Sequence, residues 1–97
     1  MTVRKMFEEI GNYLIRKDKW QRKNKNSFLK KIGKDVYVYM YLKYGEYITI
    51  GYNNAIMSFD TFSTDDDDYE MELTAEFIYD IAAATQIIAK NYSNMLV

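Results

Sequence analysis

A stretch near the middle of the chain, from Asp35 to Thr61, constrains the fold more than any other part of the sequence. It reads DVYVYMYLKYGEYITIGYNNAIMSFDT, in which apolar and aromatic β-formers are interrupted by two turn signals, Tyr44-Gly45 and Asn53-Asn54. Gly and Asn accept the positive φ that a tight hairpin requires. The stretch therefore predicts an antiparallel meander of three strands, over residues 35–43, 46–52 and 55–61.

Two-residue loops at both turns would place Lys43 opposite Glu46 and Tyr52 opposite Ala55. Because side chains alternate between the two faces of a sheet, this register sorts the meander into two sets. The predicted core face is apolar on all three strands and holds Tyr37, Tyr39, Tyr41, Ile48, Ile50, Tyr52, Met57 and Phe59. The opposite face holds Val36, Val38, Met40, Leu42, Tyr47, Thr49, Gly51, Ile56, Ser58 and Asp60. A slip of one residue would exchange these sets.

Two helices are predicted to flank the meander. Thr2 is a suitable N-cap for a helix that begins at Val3 and ends between Trp20 and Asn26, and Thr74 for a final helix from Ala75 to about Asn91. Residues 28–32 fit a short strand or a further helical turn. Residues 69–73 alternate in the manner of a short fourth strand. The expected fold is a single α+β domain over residues 1–97: an N-terminal helix, a three- to four-stranded antiparallel meander and a C-terminal helix packed on one sheet face, in a two-layer sandwich.

The residue types that are missing from the sequence exclude several classes of function. The sequence contains neither cysteine nor histidine, so disulfides, thiolate metal sites and histidine-based catalysis are excluded. Its four glycines are isolated and form no phosphate-binding loop. It has no apolar run long enough to span a bilayer, and acidic residues stand where a signal peptide requires an apolar stretch. We therefore expect a cytoplasmic protein that is not an enzyme, with no cofactor, metal or membrane partner.

The net charge of −1 conceals a strong asymmetry. Residues 1–34 carry eleven Lys or Arg and three acids, whereas residues 35–97 carry two Lys and eleven acids. The two parts therefore have net charges of +8 and −9. Such a separation of opposite charges indicates charged partners. The basic part and the acidic part each predict a different kind of partner.

The acidic part favours a protein partner. Aspartates and glutamates interleaved with aromatic residues can imitate the phosphates of a nucleic acid, as in small phage-encoded inhibitors of defence nucleases. The main hypothesis is thus a non-enzymatic, anti-CRISPR-like inhibitor of a nucleic-acid-handling protein. The predicted partner-binding residues are Asp60, Asp65, Asp66, Asp67, Asp68, Tyr69, Glu70 and Glu72.

The aspartate run does not match an EF-hand loop. With Asp65 at the first position, Glu70 would occupy the sixth position, where a glycine is required. A solvated acidic loop is therefore expected there. The α-β-β-β-α order is similar to that of the double-stranded RNA-binding domain, but the residues before the last helix are acidic, whereas that domain uses lysines. The similarity is limited to topology.

The basic part predicts the alternative function, nucleic-acid binding, because Lys and Arg neutralise phosphates and aromatic rings stack on bases. The candidate residues are Arg16, Lys17, Lys19, Trp20, Arg22, Lys23, Lys25, Lys30 and Lys31. A buried Trp20 that anchors the first helix is the competing interpretation of that residue.

A homodimer is also expected. In the predicted register the strip of Val36, Val38, Met40 and Leu42 lies outside the core, and an exposed apolar strip favours association. The opposite charges of the two parts would favour a two-fold pairing. If the first helix covers the strip, this reason for a dimer disappears.

Overall fold

The computed structural model describes residues 2–65 and 73–95. Two helices flank a five-stranded antiparallel meander in which every strand pairs with its neighbour in sequence. The helices are α1 (Val3–Asp18) and α2 (Ala75–Met95), and the strands are β1 (Gln21–Asn24), β2 (Ser27–Gly33), β3 (Val36–Lys43), β4 (Tyr47–Asn53) and β5 (Ser58–Ser63). The expected helix–sheet–helix order is confirmed. The predicted strand number was too low, and the fourth strand expected at 69–73 falls almost wholly outside the described residues.

The two additional strands come from residues 16–34, the segment of the basic part that holds the candidate nucleic-acid-binding residues and that we call the basic block. Helix α1 ends at Asp18, earlier than predicted, and Lys19 follows in the left-handed conformation with φ of 60°. A hairpin then joins β1 to β2, and the Asn24 side chain stabilises its turn by accepting hydrogen bonds from the backbone of Asn26 and the hydroxyl of Ser27. Residues 28–32 are therefore strand, which decides between the two alternatives left open by the sequence.

Both predicted helix caps are present. The Thr2 hydroxyl accepts a hydrogen bond from the backbone N–H of Lys5 at 3.1 Å. The Thr74 hydroxyl accepts one from the backbone N–H of Phe77, also at 3.1 Å. Each cap satisfies an N–H that the first helical turn would otherwise leave without a partner. Helix α2 extends to Met95, a little further than expected.

The register predicted for the first hairpin was wrong by one residue. Tyr44 and Gly45 do form the turn, with φ of 55° and 74°, and the N–H of Glu46 donates to the Lys43 carbonyl at 2.9 Å. However, Glu46 remains in the loop, so that Lys43 pairs with Tyr47. This single extra residue turns β3 over relative to β4, because side-chain direction alternates with every residue.

The second loop is also longer than predicted, but its effect on the sheet differs. Residues 54–57 form the loop, and Asn53 pairs with Ser58 where Tyr52 was expected to pair with Ala55. This shift involves an even number of residues. Phe59 therefore stays on the same face as Tyr52, as predicted, and their rings stack at 5.1 Å.

The core lies between the two helices and one face of the sheet. Its buried sheet residues are Phe28, Val36, Val38, Met40, Leu42, Ile48, Ile50, Tyr52 and Phe62. The predicted core positions of Ile48, Ile50 and Tyr52 are thus confirmed. The predicted core positions of Tyr37, Tyr39 and Tyr41 were wrong, since these tyrosines lie on the opposite face, and Met57 is 51% exposed in the second loop.

Both helices cover this core face. Phe7 of α1 packs on Phe28 of β2 with ring centroids 5.2 Å apart, and Phe77 of α2 packs on Phe62 of β5 at 5.9 Å. The apolar strip of β3 lies beneath them and is buried, so it cannot form the expected dimer interface. Helix α1 covers part of the strip, which was the alternative stated for it.

Two residues fix how closely α1 approaches the other elements. Gly11 is buried against the Phe28 ring, and a Cβ at this position would overlap that ring. At the end of the helix, Asp18 accepts hydrogen bonds from Lys30 of β2 at 2.7 Å and from Gln86 of α2 at 2.9 Å. Asp18 therefore joins three elements.

Within the described ranges, neither helix is long and apolar enough to cross a membrane.

Candidate docking surface

The second face of the sheet is not covered by either helix. It presents three tyrosines of β3 at alternating positions, together with polar and small side chains of β4 and β5. We call this surface the tyrosine face and define it by Lys23, Leu29, Lys31, Tyr37, Tyr39, Tyr41, Asn53, Ser58 and Asp60. The three tyrosines are half-buried and Asp60 is exposed.

Gly51 provides the space in which Tyr39 lies. The two residues are directly opposite each other on β4 and β3. A Cβ at Gly51 would overlap both the Tyr39 hydroxyl and the backbone carbonyl oxygen of Phe59. The ring of Tyr39 is therefore held down on the sheet, and it packs at 5.6 Å against the ring of Tyr41, tilted by 56°.

Asp60 fixes the two hydroxyl groups. Tyr39 donates a hydrogen bond to Asp60 Oδ1 at 2.6 Å, and Tyr41 donates to Oδ2 at 3.2 Å. Burial, followed by the hydrogen bond to Asp60 and its negative charge, raises the pKa of Tyr39 well above the ordinary value. Burial and the Asp60 charge also raise the pKa of Tyr41. Both phenols therefore remain protonated donors throughout the physiological pH range.

The tyrosine face forms a cleft. A depression of about 410 Å³ is lined by Tyr39, Tyr41, Lys23 of β1 and Asp60 of β5. Strands β1 and β5 are the two edges of the five-stranded sheet, yet side chains from both reach the same depression. The depression lies on the uncovered face of the sheet, and we call it the tyrosine cleft. Its volume lies within the range of ordinary ligand sites.

The β4–β5 loop adds exposed apolar groups at one end of the face. Ile56 is 82% and Met57 51% exposed. The loop that carries them is ordered by Asn54, whose side-chain oxygen accepts from the N–H groups of both residues at 2.8 and 2.9 Å. A further depression beside the loop, of about 600 Å³, also includes Leu29 and Tyr37. The apolar loop and the tyrosine face are thus continuous.

The predicted acidic site is only partly described. Asp60 lies in the tyrosine cleft, whereas Asp65 pairs with Lys43 at 3.3 Å. The remaining predicted residues, Asp66, Asp67, Asp68, Tyr69, Glu70 and Glu72, lie outside the described residues. In the part of the chain that the structure describes, no group of three acidic side chains is placed to hold a metal ion.

The basic block does not form one surface. Strand alternation directs Lys23 and Lys31 to the tyrosine face, whereas Arg22 lies on the helix side, where it pairs with Glu8. Lys30 is engaged by Asp18. Arg16, Lys17 and Lys19 are exposed at the end of α1, and Lys25 is exposed in the β1–β2 turn.

Trp20 is buried and only 2% exposed, as its competing interpretation stated. Its ring belongs to the core and is not available to stack on a base. Of the nine residues of the alternative site, six therefore remain on the surface without a described ion pair, and they lie in three places: the end of α1, the β1–β2 turn and the tyrosine face.

The tyrosine cleft was missed in the sequence because its tyrosines were assigned to the core. One signal pointed the other way. The residues that alternate with them, Val36, Val38, Met40 and Leu42, all have aliphatic or thioether side chains, which are buried more readily than a phenol that needs a hydrogen-bond partner. Comparison of the chain with protein-family models, with curated proteins and with solved structures finds no match.

Proposed function

We propose that the protein is a small, non-enzymatic binding protein that docks a partner protein on its tyrosine face. The observation that carries the proposal is a sheet face left uncovered by both helices, with fixed tyrosines at its centre. Tyrosine is enriched at protein interfaces because it offers a large contact area at a small cost in side-chain entropy. The exposed pair Ile56 and Met57 extends the same surface with apolar anchors.

The proposed partner is a nucleic-acid-handling protein, which the chain would inhibit in the manner of an anti-CRISPR factor. Two features support this more specific proposal. The sequence from residue 35 onward has a net charge of −9, which complements a basic nucleic-acid site. Asp60 stands in the tyrosine cleft itself, so part of that negative charge lies on the docking surface. The absence of cysteine fits the proposed cytoplasmic setting.

Nucleic acid is the second candidate. Lys23 and Lys31 share the tyrosine face, and aromatic rings at a surface beside lysines are typical of single-strand binding sites. The carboxylate of Asp60 weighs against this candidate, because it would repel a phosphate brought into the cleft. The division of the basic block between different surfaces also weakens it.

A capture experiment with matched variants tests the proposal. The tagged protein and two variants, Ile56→Ser and Ile87→Ser, are incubated with host lysate, and specifically retained proteins are identified. Both isoleucines are exposed, at 82% and 62%, but Ile56 borders the tyrosine face and Ile87 lies on α2. We expect a partner that Ile56→Ser loses at least tenfold and Ile87→Ser retains. Loss with Ile87→Ser alone would contradict the assigned surface.

A labelled single strand and a labelled duplex are tested alongside, at low and physiological salt. Nucleic-acid binding through lysines would weaken steeply as salt increases. Tight binding of either oligonucleotide at physiological salt, without a captured protein, would reverse the order of the two candidates.

Light scattering at the same two salt concentrations tests the expected homodimer, whose remaining basis is the opposed charge of the two parts of the chain.

A further inference from the structure

The tyrosine cleft contains a carboxylate with unused acceptor capacity. Asp60 accepts one tyrosine hydroxyl on each of its oxygens. A carboxylate offers about four lone-pair sites, so about two remain, one on each oxygen. Among the described residues, no lysine or arginine forms an ion pair with Asp60. The group is exposed, and its remaining acceptor sites have no protein partner among the described residues.

The surroundings of this carboxylate suit a planar cation. The rings of Tyr39 and Tyr41 lie beside it, and their hydroxyls hold it in a fixed position. Aromatic faces attract cations, and a guanidinium group can also donate two parallel hydrogen bonds to one carboxylate. The depression of about 410 Å³ has room for such a side chain with adjoining backbone.

The same combination occurs elsewhere in the chain, where it is filled. On the helix side of the sheet, the Arg22 guanidinium lies 4.5 Å from the centre of the Phe28 ring and pairs with Glu8. Ring, carboxylate and guanidinium are thus supplied by three separate elements. The tyrosine cleft offers the rings and the carboxylate without the guanidinium.

We infer that the tyrosine cleft receives an arginine side chain from an exposed segment of the partner protein. The carboxylate of Asp60 would bind the guanidinium end-on through both oxygens, and the rings of Tyr39 and Tyr41 would contact its face. This inference rests on the proposed function and deepens it, since nucleic-acid-handling proteins present arginines at their binding sites. It also explains what a negative charge among tyrosines contributes to docking.

A titration with short peptides tests the inference. The probe is Ac-Gly-Arg-Gly-amide, and its control is the same peptide with citrulline, which preserves the shape and removes the charge. Binding is followed in ¹H–¹⁵N spectra of the intact chain. We expect saturable shifts at Tyr39, Tyr41, Gly51 and Asp60 with the arginine peptide, and affinity at least tenfold weaker with citrulline. Equal affinities, or shifts confined to other surfaces, would overturn the inference.

Three variants locate the site. Asp60→Asn should reduce affinity for the arginine peptide at least tenfold. Tyr41→Phe should reduce it much less, because the ring remains. Lys23→Ala should leave it unchanged or raise it, because it removes a positive charge from the wall of the cleft. Thermal unfolding of each variant checks that the fold is retained. Unchanged affinity in folded Asp60→Asn would exclude the carboxylate as the receptor.

The inference and the proposed function fail in different ways. If the arginine peptide does not bind but Ile56→Ser loses the captured partner, the docking surface stands and the arginine receptor is wrong. If the peptide binds in the cleft but Ile56→Ser and Asp60→Asn retain the partner fully, the cleft is a cation site and the partner docks elsewhere. In the second case the proposed function is wrong.

Discussion

The two faces of the sheet are made by the same strands but differ in chemistry. On β3, Val36, Val38, Met40 and Leu42 point to the helices, and the three tyrosines between them point to the cleft. The aliphatic residues stabilise the fold because their apolar surface is buried away from water. The tyrosines, in contrast, keep their hydroxyls at a polar surface. Both sets are apolar enough to form a core. On β3, therefore, hydrogen bonding by Tyr39 and Tyr41, and not hydrophobicity alone, distinguishes the uncovered face from the covered one.

Adjacent residues of β3 give the sharpest test of this comparison. Met40→Lys places a charge in a site that is fully buried between sheet and helices, and we expect it to cost about 3–5 kcal/mol or to unfold the protein. Tyr41→Lys, on the tyrosine face, should cost about 1 kcal/mol or less, because the ammonium group reaches solvent and lies near Asp60. Urea denaturation of both variants measures the difference. Similar costs would show that the two faces are equally buried.

The second prediction concerns Gly51, where the tyrosine face depends on a missing side chain. Gly51→Ala should destabilise the protein by about 1–3 kcal/mol, because its Cβ would overlap Tyr39 and the Phe59 backbone. It should also displace the Tyr39 ring and reduce binding in the cleft.

Gly33→Ala is the matched control for Gly51→Ala. A Cβ at Gly33 would approach Val36 no closer than 3.8 Å, which is ordinary van der Waals contact. We therefore expect a change below about 0.5 kcal/mol in its free energy of unfolding. If Gly51→Ala is equally mild, Tyr39 is not held on the sheet as described.

The third prediction uses pH to test the contacts of Asp18, which lie on the side of the sheet that the helices cover. Burial alone would raise the pKa of Asp18, but the hydrogen bonds from Lys30 and Gln86 outweigh it and hold this pKa below its usual value. A depressed pKa means that the stabilisation is present above the unfolded-state pKa, near 3.9, and is lost as the pH falls through the folded-state value. Asp18→Asn should therefore cost about 1–2 kcal/mol at pH 7.

At pH 2–3 the wild type and Asp18→Asn should approach equal stability, because the wild-type carboxyl is then increasingly protonated. Glu9→Gln is the control, since Glu9 is exposed on the same helix. Chemical denaturation at the two pH values measures each difference. A cost for Asp18→Asn that is independent of pH would mean that the charge of Asp18 is not what joins the three elements.

The smallest effect is expected from deleting Glu46. Without this residue, the Tyr44-Gly45 turn would connect Lys43 directly to Tyr47, and the observed pairing of β3 with β4 would be preserved. We expect a change of less than about 1 kcal/mol. Deletion of Thr49 within β4 is the matched control and should be severely destabilising, because it reverses the faces of the residues on one side of the deletion. If deleting Glu46 is equally damaging, the turn and not the core determines the register.

Glu46 also shows why the sequence predicted the elements better than the site. The helices, their Thr2 and Thr74 caps and the turn at Tyr44-Gly45 depend on local signals, and these were found. The face on which β3 packs is set by its pairing across the sheet, and the local turn signal does not show that Glu46 belongs to the loop. Tyr37, Tyr39 and Tyr41 fit a core as well as a surface by hydrophobicity, so alternation alone could not choose between them.

The cleft itself could not be predicted for a different reason. It needs the positions of Asp60 and Gly51 relative to Tyr39, which are set by pairing across three strands and by a register shift near Gly51 in the pairing of β4 with β5. The basic block was misjudged because its run of charges was treated as continuous. Once β1 and β2 form, alternation sends Arg22 and Lys23 to opposite faces, and a block in sequence is no longer a block in space.

The meander has a consequence for how the chain folds. Every strand pairs with the strand next to it in sequence, so the sheet requires only short loop closures, a property typical of rapid folding. Helix α2 is different, because its contacts reach back across the chain, as in the bond from Gln86 to Asp18. During synthesis the sheet can form while α2 is still being made. Until α2 packs on the sheet, part of the apolar core face of the nascent chain would be exposed to solvent. We expect the risk of aggregation to be greatest during that interval.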